Sequence, residues 1–104
     1  MSENLPSGGA RVQKKSEAKS ALPLRYKVLM HNDHYTTMEF VVGTLERVFQ
    51  KTSAEANRIM LTIHTQGVGI CGIYPHEIAE TKVAKVHNLA KQAGFPLKCT
   101  LEEV

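Results

Sequence analysis

The stretch "HNDHYTTMEF", residues 31–40, crowds two histidines, an asparagine, an aspartate and a tyrosine between two apolar runs, and a further histidine, His64, lies beyond them. Three chemistries could use such a set. A metal site would draw on His31, His34 and His64 with Asp33 or a cysteine, but histidines three apart in a turn match no closed structural-zinc spacing, and there is no CxxC. Hydrolysis would need a nucleophile, a base and an orienting group, and no nucleophile motif is present. Recognition of a small cation asks only for acceptors. Asp33 offers a carboxylate, Asn32 a carbonyl and a neutral histidine a lone pair. Met38, Val41, Met60 and Ile63 would add a soft apolar lining for a bulky side chain. The same residues also read as an Asn-Asp turn, a helix cap and a methionine-rich core with no ligand at all, and the residues alone leave that choice open.

The elements that must position these residues follow from periodicity. "RYKVLM", residues 25–30, is short, apolar and bounded by Pro23 and the polar cluster, as a strand requires. "TTME" predicts a first helix with Thr36 as N-cap and Glu39 three residues on, the capping-box spacing. Met38, Val41, Val42, Leu45, Val48 and Phe49 then recur at helical intervals. A second box, Thr52 with Glu55, opens a second helix with Ala56, Ile59, Met60 and Ile63 on one face, ending before Gly67. "VGICGIY", residues 68–74, reads as a buried strand whose glycines imply close packing or a bulge. Pro75 starts a third helix, with Ile78, Ala79, Val83, Val86, Leu89, Ala90 and Ala93 inward and Gly94 at its end. "LKCTL", residues 97–101, alternates as a half-exposed strand. The order β-α-α-β-α-β predicts an α+β class: a small two-layer domain in which a three-stranded antiparallel sheet packs against three helices. His64, four residues after Met60, would face the same rim as the turn at 31–36.

Charge and composition narrow the function further. The chain has 104 residues and a net charge of +3, but residues 1–25 hold five basic and two acidic side chains, while residues 26–104 hold eight of each. The basic excess therefore belongs to residues 1–25, most of it to the first stretch, residues 1–23. That stretch is expected to be a disordered basic extension, being poor in bulky apolar residues, with a single core domain over 24–104. The neutral domain has no basic stripe and no aromatic and basic interleaving, which argues against nucleic acid. No apolar run approaches a membrane span, and the start lacks a secretory pattern. A cytoplasmic, monomeric protein is the expectation, with Cys71 and Cys99 as buried thiols rather than a disulfide.

"YKVLMHNDHYTTMEFVV", "RIMLTIHTQGVGICGIYPHEIAETKVA" and "FPLKCTLEEV" together resemble the ClpS family, adaptors of the ATP-dependent Clp proteases, over residues 24–104. The resemblance implies a three-stranded sheet with three helices, shared with the C-terminal domain of the ribosomal stalk protein. It also implies an adaptor rather than an enzyme, without cofactor or metal. Such an adaptor binds proteins whose first residue is Leu, Phe, Tyr or Trp and delivers them to a ClpA-type or ClpC-type AAA+ unfoldase, which the N-terminal extension engages. By position, Asn32, Asp33, His34, Thr36 and His64 match the family residues around the ligand's α-amino group. Met38, Val41, Met60, Ile63 and Leu97 match the side-chain pocket, with Met38 at its mouth. Glu77 and Lys82 match the surface that contacts the unfoldase. The chain departs from the family pattern at His34, where an acid is common, at Thr37, where a proline often stands in the first helical turn, and at His31, usually apolar. Two rival functions stand beside it: a stalk-like interaction domain on the same fold, which would not need Asn32, Asp33 and His64 at one rim, and a small metal-binding regulator that would use the histidines.

Overall fold

In the computed structural model, which describes residues 24–104, β1 spans Arg25–His31, α1 Met38–Phe49, α2 Ser53–Gln66, β2 Val68–Pro75, α3 His76–Ala93 and β3 Lys98–Glu103. β1 is central, in the order β2-β1-β3, and it pairs antiparallel with both neighbours. Alternation along β1 turns Val28 and Met30 into the core, both fully buried. Against them pack Val41, Leu45, Val48 and Phe49 of α1, Ala56, Ile59, Met60 and Ile63 of α2, and Ala79, Val86 and Ala90 of α3. Burial of this set at roughly 25 cal/mol per Å² of apolar surface is what holds the two layers together.

Local signals set the element ends. Thr52 and Glu55 form the expected capping box, each binding the other's backbone N–H. Gly67 ends α2 at φ 91°, a left-handed conformation that favours glycine. Gly69 allows α2 to approach the sheet, since a Cβ there would lie 2.7 Å from Ile63 Cγ1. The register of β2 against β1 shifts between Val28 and Leu29, leaving Cys71 as the extra residue of a bulge. Cys71 and Cys99 are buried free thiols.

Two expectations need correction. The N-cap of α1 is Thr37, whose hydroxyl accepts from Phe40 N, because Asp33 has taken the Thr36 hydroxyl. Glu39 is then one position too early for a capping box, and Thr37 is the residue that caps the helix. On α3, Ile78 is 47% exposed and Ala93 is exposed. Only a narrow stripe through Ala79, Val86 and Ala90 reaches the core, with Val83 and Leu89 at its flanks. The expectation for residues 1–23 lies outside the described residues.

Candidate functional site

β1 ends by passing His31 to the far face of the sheet, where its Nε2 shares a 2.7 Å hydrogen bond with the Thr100 hydroxyl. The next residue, Asn32, donates its N–H to Gly67 O at 2.9 Å, tying the turn to the end of α2. Asp33 then organises the turn. Its Oδ1 accepts from Tyr35 N at 2.8 Å and Thr36 N at 2.7 Å, and its Oδ2 from the Thr36 hydroxyl at 2.7 Å. Burial opposes ionisation of this carboxyl, but the Thr36 and Tyr35 hydrogen bonds and nearby His34 outweigh it, so Asp33 stays below its ordinary pKa.

This turn and the facing ends of α1 and α2 enclose a cavity of about 230 Å³ lined by Asn32, Asp33, His34, Thr36, Met38, Val41, Met60, Ile63 and His64. Residues 60, 63 and 64 share one face of α2, as their spacing dictates. Val41, Met60 and Ile63 form a buried apolar floor, while Met38 is 46% exposed at the opening. The volume is below the ~300–1,000 Å³ of a pocket for a drug-sized ligand and suits one large side chain.

The rim is rich in acceptors. Thr36 gives its single hydroxyl proton to Asp33, so its oxygen presents only lone pairs to the cavity. A carboxylate has about four acceptor positions, of which Asp33 uses three internally. Together with the Asn32 carbonyl, Asp33 and Thr36 let the rim turn acceptors toward a group that only donates. Among the described residues, no group of three or more histidine, cysteine, aspartate or glutamate side chains is arranged to hold a metal ion.

Nine of the residues anticipated around a ligand thus meet in one cavity. Leu97 does not line it; the side chain is buried just before β3, in the core. Glu77 and Lys82 also lie away from the cavity. Glu77 is exposed in the first turn of α3. Lys82 has an internal role that its sequence neighbours do not announce. Its Nζ donates to Val48 O at 2.7 Å and Gln50 Oε1 at 3.2 Å and sits over the Phe49 and Tyr74 rings. Burial, then the charge of Lys85, lowers its pKa. The partner carbonyl lies 34 residues away in sequence, so no local motif could have revealed this helix-end contact.

Residues 21–100 match the family described as ATP-dependent Clp protease adaptor protein ClpS. The chain is 54% identical to the ATP-dependent Clp protease adapter protein ClpS of Nitratidesulfovibrio vulgaris (strain Miyazaki F), over 96% of this chain and all of that protein. It is 58% identical to the protein of the same name from Desulfatibacillum aliphaticivorans, over 81% of each. Its fold is similar to that of Agrobacterium tumefaciens ClpS2 solved bound to L-phenylalaninamide, with a TM-score of 0.77 and 40% identity over 80% of this chain and all of that one.

Proposed function

The chain belongs to the ClpS family of ATP-dependent Clp protease adaptors, and from that premise we propose that it captures proteins by a large apolar first residue and hands them to a ClpA-type or ClpC-type AAA+ unfoldase. The first residue is Leu, Phe, Tyr or Trp. Its side chain enters the cavity over Val41, Met60 and Ile63, and its α-ammonium meets Asn32, Asp33, His34, Thr36 and His64. The observation that carries this reading is the acceptor rim above an apolar floor: an ammonium has protons to give and no lone pair to receive. The ligand of the Agrobacterium tumefaciens relative, L-phenylalaninamide, joins the same two features, a free α-amino group and a large apolar side chain.

The protein then acts as a cytoplasmic, monomeric adaptor without catalysis or cofactor, and no helix among the described residues is long and apolar enough to cross a membrane. Delivery uses the α3 surface around Glu77, with Lys82 held in place by the end of α1.

Binding of a fluorescent Phe-started peptide, compared with the same peptide N-acetylated, tests capture. Acetylation removes the charge and fills the space where the acceptors converge. Loss of a charge-assisted set costs about 2 kcal/mol or more, over tenfold in affinity. Equal anisotropy titrations for the two peptides would overturn the proposal.

A further inference from the structure

The two edges of the sheet are guarded unequally. β3 carries Lys98, Glu102 and Glu103, and the Cys99 N–H is taken by His87 Nε2 at 3.1 Å. A foreign strand would meet charge there, and a donor already occupied. β2 has no charged residue in "VGICGIYP". Beyond its ladder with β1, no hydrogen bond among the described residues, from backbone or side chain, ends on the backbone of 68–75. Val68, Ile70 and Ile73 are 36%, 48% and 41% exposed. Proteins usually blunt such an edge with lysine, proline or a bulge. Here the bulge falls at Cys71 and the proline at 75, which leaves Val68–Ile70 open.

A groove of about 680 Å³ runs beside that open stretch. One wall is the sheet, through Leu29, Val68 and Ile70; the other is the polar flank of α2, through Arg58, Thr62 and Gln66. Charges at the groove are unevenly matched. Lys27 stands opposite Glu102 across the β1–β3 ladder, whereas Arg58 makes no ion pair with another described residue.

We propose that the free edge of β2 accepts an extended segment of a partner protein by strand addition, and that apolar side chains alternate with acidic ones in that segment. Strand geometry dictates the pattern. Successive side chains of an added strand point to opposite faces, so one set lies beside Val68 and Ile70 while the other faces Arg58, Thr62 and Gln66. Backbone pairing supplies affinity and the alternate side chains supply selectivity. This surface is separate from the amine-binding cavity and does not depend on its function.

The test uses the full chain, labelled with nitrogen-15, and a peptide of alternating Val and Glu or Thr residues, acetylated and amidated at its ends so that it has no free α-amine. Titration should shift the amides of residues 68–70 and slow their exchange with solvent. Exchanging Glu for Lys in the peptide should weaken binding about tenfold, the scale of one charge-assisted contact. Arg58→Glu should reverse that preference while leaving the binding of Phe-started peptides unchanged. Absence of shifts at millimolar peptide, shifts centred on residues 32–41 at the other cavity, or equal binding of the Glu and Lys peptides would overturn the proposal. So would a concentration-dependent dimer that protects the same amides, which would assign the edge to self-pairing.

Discussion

Replacing Asp33 by Asn separates the charge of the turn from its shape. An amide oxygen can still accept from Tyr35 N and Thr36 N, but the amide nitrogen can only donate to the Thr36 hydroxyl, so that bond must reverse and all three become neutral. Charge-assisted bonds are about twice as strong as neutral ones, and a neutral bond contributes about 1 kcal/mol net. Discounted for solvent at this partly exposed rim, the loss of stability is about 1–2 kcal/mol, or several degrees in Tm for a domain of this size. Capture of a Phe-started peptide should fall by about tenfold, because the ammonium loses its one full counter-charge. The pH dependence gives the sharper check. Asp33 is held below its ordinary pKa, so the folded state binds fewer protons than the unfolded chain, and its contribution is complete above about pH 4. Below that it declines, and it vanishes as the pH falls through the depressed value. Thermal melts of the two proteins from about pH 7 downward should therefore converge only in acid. Equal Tm at neutral pH, or a gap that does not shrink on acidification, would refute the account of Asp33 as an ionised organiser of the turn.

Met38→Ala should relax selectivity against β-branched first residues, whose bulk at Cβ meets the side chain at the opening; an unchanged ratio of Leu to Ile affinity places the filter elsewhere. His34→Asp should tighten binding of a Phe-started peptide by about 1 kcal/mol, since it adds a charged acceptor at the rim, and titrations of equal affinity would remove His34 from the site. Gly69→Ala should push Ile63 toward the cavity, costing about 1–3 kcal/mol in denaturant melts and penalising Trp-started peptides more than Leu-started ones. Removing residues 1–21 should spare capture, since the lining runs from Asn32 to His64, and abolish unfoldase-dependent degradation, which a reconstituted protease assay would read.

The legible parts of the fold were those whose signals are local. Thr52, Glu55, Gly67 and Gly94 set their helix ends through neighbours a few residues away, and the structure follows them. The start of α1 was ambiguous because two threonines compete for one cap, and the decision belongs to Asp33, which binds Thr36. Ile78 has helical spacing suited to an inner face, yet α3 presents only a narrow stripe to the sheet, and the width of that stripe is a tertiary quantity. The cavity residues could be named individually; that Leu97 stays out of the lining and Lys82 bonds back to Val48 depends on contacts distant in sequence.

The chain's only cysteines lie on the two strands that flank β1, Cys71 with no exposure and Cys99 with 4%. Their mutual hydrogen bond, and then burial, push the Cys71 thiol up, away from the reactive thiolate. A maleimide or disulfide reagent therefore has nothing to modify until the sheet itself comes apart. Labelling kinetics then count global opening events, with no engineered probe. Because both sulfurs lie outside the cavity lining, the same clock can be run with a Phe-started peptide bound. The slowing of modification reads directly how far ligand capture steadies the whole domain.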